Sequence, residues 1–342
     1  MVRVLVVDDS PTVRELLVRM LESDPEIRVV GMARDGEEAV RLAGELRPDV
    51  VTMDIRMPRL DGFQATKRIM QKTPTPIVVV SASVESEELK ITFNAIRAGA
   101  LTVVEKPRGP AGPAFEQIRT QLLTTVRLMA GVKVVRRWAT GMLRPAAVVP
   151  PRALSEVRAA VVAIAASTGG PGALYQVLRD LPANFPLPIL IVQHIARGFG
   201  QGMVDWLRGA TQLRVATAQP GDVLQAGRVL VSPDDQHLGL GRDGRVVLYP
   251  RRDERELCPS ADILFRDVAQ TFGRKALGVI MTGMGRDGVE GLAALKAAGG
   301  RVLAQDEKSC IVFGMPKEAI AAGVTDQVVP LEQMAQAITE ML

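Results

Sequence analysis

The chain has 342 residues, enough for two domains with a core each, and its 47% hydrophobic and 23% charged residues are those of an ordinary globular protein. A net charge of +4 reads as a solvated surface rather than a nucleic-acid footprint, and two cysteines with two histidines exclude a disulfide framework and a structural zinc site. No run reaches the roughly 18 apolar residues of a membrane span, and the acids Asp8 and Asp9 come too early for a signal peptide, so the expectation is a cytoplasmic protein that is not membrane-embedded.

The first third alternates strand-like and helix-like segments. β-branched runs at 3–7, 49–53, 76–80 and 101–104 end in Asp8-Asp9, Asp54, Ser81 and Glu105-Lys106-Pro107. Helical spacing covers 11–24, 36–46, 63–72 and 87–98, with a last helix at 115–129. The alternation predicts a doubly wound parallel sheet, whose strand ends share one edge. Three carboxylates on that edge, Asp8, Asp9 and Asp54, repel one another without a cation, and an oxygen-only set suits Mg²⁺. A metal-bound Asp54 can accept a phosphoryl group, with Lys106 neutralising its charge and Ser81 hydrogen-bonding to it. Singly, each of these residues has a duller role in capping a helix after a strand; the joint pattern carries the chemistry.

Residues 131–157 hold Arg136-Arg137-Trp138, Arg144-Pro145 and Pro150-Pro151-Arg152, the make-up of an extended linker. No helix-turn-helix pattern follows, so a DNA-reading module is not expected.

A buried strand over 161–166 ends in Ser167, followed by Thr168-Gly-Gly-Pro-Gly172 and a helical segment at 173–181. This sets a hydroxyl beside the backbone N–H groups that open a helix, a place for a nucleophile and its oxyanion. The same residues occur in any strand-to-helix turn and in pyrophosphate cradles. The next strand argues against a dinucleotide site: 187–193 ends in His194, where an acid would hold the ribose. His194 shares the edge with Ser167 and is the candidate base, whereas His237 precedes the turn Arg242-Asp243-Gly244 and reads as hairpin material. A strand over 276–282 runs through Gly283-Met-Gly-Arg-Asp287-Gly into a helix at 289–298. Asp287 can orient the imidazole, or simply favour its own helix N-terminus. The order Ser, His, Asp differs from that of the α/β-hydrolases.

Six pieces in sequence carry a resemblance: Met53-Asp-Ile-Arg-Met-Pro-Arg-Leu-Asp-Gly62, Ser167-Thr-Gly-Gly170, Gln193-His194, Pro259-Ser-Ala-Asp262, Thr282-Gly-Met-Gly-Arg-Asp-Gly288 and Gly314-Met-Pro316. Residues 1–125 resemble a response-regulator receiver domain. Residues 158–342 resemble the catalytic domain of the chemotaxis protein-glutamate methylesterases, the CheB family, and 126–157 hold the end of the last receiver helix and the linker. The resemblance implies two doubly wound parallel-sheet α/β domains, the first flavodoxin-like and the second Rossmann-like. It implies Asp54 as phosphoacceptor, Asp8 and Asp9 as the acidic pair with Asp9 the more direct Mg²⁺ ligand, and the Arg56 carbonyl as a further ligand. It implies Ser167 as nucleophile, His194 as base, Asp287 as its partner, and N–H groups near Thr168 and Met284 as oxyanion-hole candidates.

The activity it implies is removal of γ-glutamyl methyl esters, and deamidation of certain glutamines, on the cytoplasmic domains of methylated chemoreceptors. Ester hydrolysis would need no cofactor, and a chemotaxis histidine kinase would be the phosphodonor. The receiver would pack on the catalytic edge and obstruct it until phosphorylated. Two positions depart from the family pattern: Val103 stands where receivers often carry a switching aromatic, and Ala165 where the esterases have glycine. Other readings are a phospho-switch adaptor without activity, and the same esterase serving a non-flagellar receptor array.

Overall fold

The structure, a computed structural model, describes residues 1–81, 86–107, 113–132, 134, 159–253 and 256–342. The expected linker therefore lies largely outside the described residues. Chain order in the first domain is β1 (Val2–Val7), α1 (Pro11–Glu22), β2 (Ile27–Ala33), α2 (Gly36–Leu46), β3 (Val50–Met53), α3 (Gly62–Lys72), β4 (Ile77–Ser81), α4 (Ser86–Ala98), β5 (Thr102–Glu105) and α5 (Pro113–Ala130). All strands pair in parallel, in the order β2-β1-β3-β4-β5. Strand order reverses beside β1, which places the carboxyl ends of β1 and β3 at the topological switch point where such sheets bind ligands. Helix starts follow the local chemistry. Ser10 accepts from the Val13 N–H ahead of Pro11, Asp35 from the Glu37 and Glu38 N–H groups, and Asp61 from the Gln64 N–H. Strand β2 was not expected from spacing. It is an edge strand whose middle residues are half-buried, so it shows neither an apolar run nor a clean alternation.

The second domain runs β6 (Val161–Ala166), α6 (Gly170–Asp180), β7 (Ile189–Gln193), α7 (Gly200–Arg208), β8 (Arg214–Thr217), β9 (Arg228–Val231), β10 (Gln236–Leu240), β11 (Val246–Pro250), α8 (Ala261–Phe272), β12 (Ala276–Ile280), α9 (Val289–Ala297), β13 (Arg301–Gln305), α10 (Met315–Ala321), β14 (Gln327–Val329) and α11 (Leu331–Glu340). Seven strands form a parallel sheet in the order β14-β13-β12-β6-β7-β9-β8, with β6 between the other two site-bearing strands. Side chains of β6 alternate between two cores. Val162, Ile164 and Ala166 join the cluster with α6, α7 and α11; Val161, Ala163 and Ala165 join the cluster with α8 and α9. The Ala165 methyl is therefore taken up by the core. The turn at 241–244 closes the antiparallel hairpin β10–β11 that its sequence suggested.

The two domains share an apolar contact. Phe93 of α4 stacks on Trp206 of α7 with ring centroids 5.5 Å apart, and Trp206 packs against Tyr175 of α6 at 4.5 Å. Ile96 lies against Gly172 in the first turn of α6, and buried Val103 belongs to the same cluster. Among the described residues no helix is long and apolar enough to cross a membrane.

Candidate functional site

In the first domain, β1 delivers Asp8 and Asp9 and β3 delivers Asp54 to one edge. Asp8 and Asp54 are buried, Asp9 is exposed, and their carboxylate oxygens lie within 4.8 Å of one another. Lys106 Nζ is 2.7 Å from Asp8 Oδ2 and 3.0 Å from Asp54 Oδ2. Its backbone is fixed by the bond from Lys106 N–H to Ser81 C=O, 2.8 Å, at the buried end of β4. Burial, with Asp8 close by, raises the Asp54 pKa to about 6, against the lowering pull of Lys106 and the Ile55 N–H. Burial would depress Lys106, yet Asp54 and Asp8 hold it above its ordinary value. One lysine thus bridges two buried carboxylates beside a third acid, Asp9, while Arg14 Nη1 donates to the Asp8 and Asp9 carbonyls at 2.6 and 2.9 Å. The oxygen-only donor set and the strained charge of Asp54 fit a hard divalent cation. Arg56 is exposed on the loop two residues past Asp54.

In the second domain, Ser167, His194 and Asp287 come from the ends of β6 and β7 and from the loop after β12. The His194 N–H bonds Ala166 C=O at 3.0 Å, and the Ser167 N–H bonds Thr282 C=O at 3.0 Å, so the three strand ends are stitched together. His194 Nε2 is 2.8 Å from Asp287 Oδ2. Ser167 Oγ makes no hydrogen bond to His194 or to any other described residue. With Nε2–H donating to Asp287, the nitrogen left with a lone pair is Nδ1.

Asp287 is held from a second side, which the sequence reading did not foresee. Oδ1 accepts from Ser260 Oγ–H at 2.8 Å and Asp262 N–H at 3.2 Å, and Oδ2 accepts from Ala261 N–H at 2.6 Å. The N-terminus of α8 therefore points at the carboxylate. Burial alone would raise the Asp287 pKa; His194, Ala261 N–H and Ser260 outweigh it and hold the carboxyl below the usual range. His237 is buried behind this arrangement, where its Nδ1 accepts from the Ser260 N–H at 3.0 Å. It supports the acid's holder and does not serve Ser167. The segment Pro259-Ser-Ala-Asp262 signals a helix start, but nothing in it names Asp287 as the group being held.

The loop after β12 must pass close behind Ser167. A Cβ on Gly283 would sit 2.7 Å from Ser167 Cβ and 3.1 Å from Ser167 N. Gly169 takes φ 79°, a conformation that favours glycine. The Thr168 and Met284 N–H groups donate to no acceptor among the described residues, and the Met284 side chain is exposed. Such an edge offers a hydroxyl, an imidazole held by a carboxylate and unspent N–H donors, groups that can serve acyl transfer.

Residues 162–338 match the family described as CheB methylesterase, and residues 4–112 match the response regulator receiver domain. The chain is 50% identical over 339 residues to the protein-glutamate methylesterase/protein-glutamine glutaminase 4 of Myxococcus xanthus, covering 98% of this chain and 96% of that protein. It is 45% identical to the corresponding protein 1 of Syntrophus aciditrophicus, covering 100% of this chain and 98% of that one. Among solved structures, the CheB methylesterase catalytic domain of Thermotoga maritima is 36% identical and superimposes with a TM-score of 0.52, covering 54% of this chain and all of that one.

Proposed function

The chain belongs to the CheB methylesterase family, and from that premise we propose that it is a phosphorylation-activated protein-glutamate methylesterase of the cytoplasm. Its substrates would be γ-glutamyl methyl esters, and certain glutamines, on the cytoplasmic helices of chemoreceptors. The observation that carries this reading is the 2.8 Å pair of His194 Nε2 and Asp287 on the strand edge that also bears Ser167.

Ser167 Oγ attacks the ester carbonyl while His194 Nδ1 takes its proton. Asp287 holds the imidazole in the Nε2–H tautomer and stabilises the imidazolium. The oxyanion would form against the N–H groups of Thr168 and Met284. His194 then returns the proton to the leaving methoxide, releasing methanol, or to the leaving amide nitrogen of a glutamine, releasing ammonia. Water, deprotonated by the same histidine, cleaves the acyl-enzyme to the free glutamate. Nothing in these steps calls for a cofactor.

Asp54 is the phosphoacceptor in this reading. Asp8, Asp9 and the Arg56 carbonyl, with Asp54 itself, would hold Mg²⁺, which when bound neutralises charge on the incoming phosphoryl oxygens. Lys106 offsets the added charge of phospho-Asp54, and Ser81 would hydrogen-bond to the phosphoryl group. A chemotaxis histidine kinase fits as phosphodonor. The receiver contact favours an obstructing role: Ile96 touches the first turn of α6, within five residues of Ser167. Ile311 and Val312, in the loop bonded to Thr282 and Gly283, join the apolar cluster around α5. Phosphorylation would shift the balance toward a separated, open state.

The test is methanol release from methylated receptor membranes, with and without acetyl phosphate and Mg²⁺. Ser167→Ala is expected to lower release on the order of 10⁶-fold. Asp54→Ala is expected to keep the basal rate and lose the response to phosphodonor. Turnover by Ser167→Ala near that of the wild type would remove the nucleophile assignment; no release by any form, from a receptor that another esterase demethylates, would favour an adaptor.

A further inference from the structure

Two carbonyls beside the nucleophile are clamped by side chains to which the mechanism above gives no task. Gln193, the last residue of β7, is buried, and its Nε2 donates to Ser167 C=O and to His194 C=O, each at 2.8 Å. The Gly170 N–H donates to the same Ser167 carbonyl at 2.7 Å and closes a β-turn over residues 167–170. Gly169 has φ 79° and ψ −8°, and Thr168 has no positive φ, which makes the turn type II. The next carbonyl, Thr168 C=O, accepts from Thr282 Oγ1–H at 2.9 Å, while Thr282 Oγ1 accepts from the Val312 N–H at 3.0 Å.

A trans peptide points its N–H opposite to its C=O. Holding Ser167 C=O toward Gln193 and Gly170 therefore turns the Thr168 N–H the other way. Holding Thr168 C=O toward Thr282 does the same for the Gly169 N–H. Neither N–H is used by the described residues. The Gln193 amide has one workable orientation: turned over, its oxygen would face two carbonyl oxygens. In the orientation present, Oε1 is buried without a hydrogen-bond partner, against Gly170, where any Cβ would overlap it. An unsatisfied buried oxygen is a cost, borne where the donor end of the same amide is needed.

We infer that Gln193 is a positioning residue for ester cleavage: one amide locks the backbone of the nucleophile to that of the base and sets the Thr168 N–H as an oxyanion donor. The inference rests on the reading of Ser167 as nucleophile. Thr282 sets the following N–H, that of Gly169, in the same way.

The experiment uses the full chain, activated by phosphodonor, on methylated receptor membranes, with wild type and Ser167→Ala alongside. Gln193→Met keeps the shape and removes the donor; Gln193→Glu keeps the shape and replaces the donor with a third acceptor. Complete loss of one oxyanion donor costs about 10²–10³ in kcat, so a donor merely freed to turn is expected to cost about 10- to 100-fold. Gln193→Met should therefore lose about 10- to 100-fold in kcat with KM within about twofold, and Gln193→Glu should lose more. The pH dependence of kcat/KM should keep its position in Gln193→Met, because His194 retains Asp287. A purely structural role would instead lower the melting temperature and leave kcat of the folded protein unchanged, and that result overturns the inference.

Should Gln193→Met fail to fold, the wild type with a methyl phosphonate on Ser167 gives a direct reading. A phosphoryl oxygen within about 3.1 Å of Thr168 N, with Gln193 still on Ser167 C=O, supports the assignment; an oxygen directed away from Thr168 N overturns it. If wild type and Ser167→Ala release methanol equally, the esterase reading itself fails, and this is seen before any Gln193 variant is compared.

Discussion

Asp54, buried, and Asp287, half-buried, both stand at the carboxyl edge of a parallel sheet, each beside one cationic or potentially cationic side chain. Their pKa values move in opposite directions: Asp54 is pushed up to about 6, Asp287 is held below the ordinary value of 3.8. Burial is the leading influence on both and acts the same way. The difference lies in the donors. Asp287 receives two backbone N–H groups of α8, the Ser260 hydroxyl and His194, so its charge is fully solvated by protein. Asp54 receives the Ile55 N–H and a lysine that it shares with Asp8, and Asp8 adds a second negative charge. One site is a finished ion cradle that keeps a carboxylate charged for its histidine. The other has one ammonium shared between two buried carboxylates, a state suited to the cation and phosphoryl chemistry proposed for Asp54.

The largest expected effect comes from breaking the finished cradle. Asp287→Asn should lower kcat for methanol release by about 10⁴-fold, since the amide can present its NH₂ to the ring and stabilise the wrong tautomer. Circular dichroism would separate that loss from unfolding. The same variant tests the sign of the pKa shift. The native carboxyl titrates below its unfolded value, so its contribution to stability is complete above about pH 4 and is lost as pH falls through the lower native value. Wild type should show this acid limb in its melting temperature, and Asp287→Asn should show a flatter one.

A glycine crosses close to the key residue in both sites. A Cβ on Gly62 would press on the Asp54 carbonyl and lie 2.9 Å from Ile55 Cα; one on Gly283 would press on Ser167. Gly283→Ala, pressing on Met315 Sδ and on Ser167, should therefore displace Ser167 and cost about 10²-fold in kcat. Gly62→Ala should leave the basal esterase rate in place and weaken the response to phosphodonor. Equal behaviour of the two variants would end the claim that the same backbone device serves two separate chemistries.

Adding Mg²⁺ sharpens the contrast at the unfinished site. Saturation at about 100 times the dissociation constant adds about 2.7 kcal/mol to the state that binds. The receiver's thermal transition should rise with Mg²⁺, Asp9→Ala should weaken that rise, and Asp287→Asn should leave it unaffected. Calorimetry of the full chain resolves these cases.

Much of this contrast was legible in the sequence, and its limits have physical causes. Asp8, Asp9, Asp54, Lys106, Ser167, His194 and Asp287 follow short apolar runs, or the loops just after them, and parallel sheets collect such positions on one edge. Strand β2 escaped because an edge strand half-buried along its middle lacks both diagnostic periods. Ser260, Gln193 and Thr282 escaped for a different reason. Their roles are bonds to backbone atoms or to acids far along the chain, 26 residues away for Gln193 with Ser167 and 114 for Thr282 with Thr168, and no local pattern encodes the partner. Val103 stands where receivers often carry a switching aromatic. In the fold it is buried in the cluster that also holds Phe93 and Trp206, whose stack on α4 and α7 is the aromatic contact between the domains.

That contact gives the smallest effect and the one that joins the two sites. Stacked aromatic pairs contribute about 0.5–1.5 kcal/mol beyond the area they bury. If the Phe93–Trp206 stack favours the obstructed arrangement, removing it shifts that equilibrium by roughly 2- to 12-fold, at about 1.4 kcal/mol per factor of ten. Phe93→Ala should then raise the basal rate of methanol release severalfold without phosphodonor, and should narrow the activation that acetyl phosphate produces, because part of the shift has already been made. Asp54→Ala combined with Phe93→Ala should keep the raised basal rate if the contact acts downstream of Asp54, as proposed. A double variant that falls back to the basal rate of Asp54→Ala would instead mean that loss of the stack acts through Asp54 rather than directly on the obstructing contact.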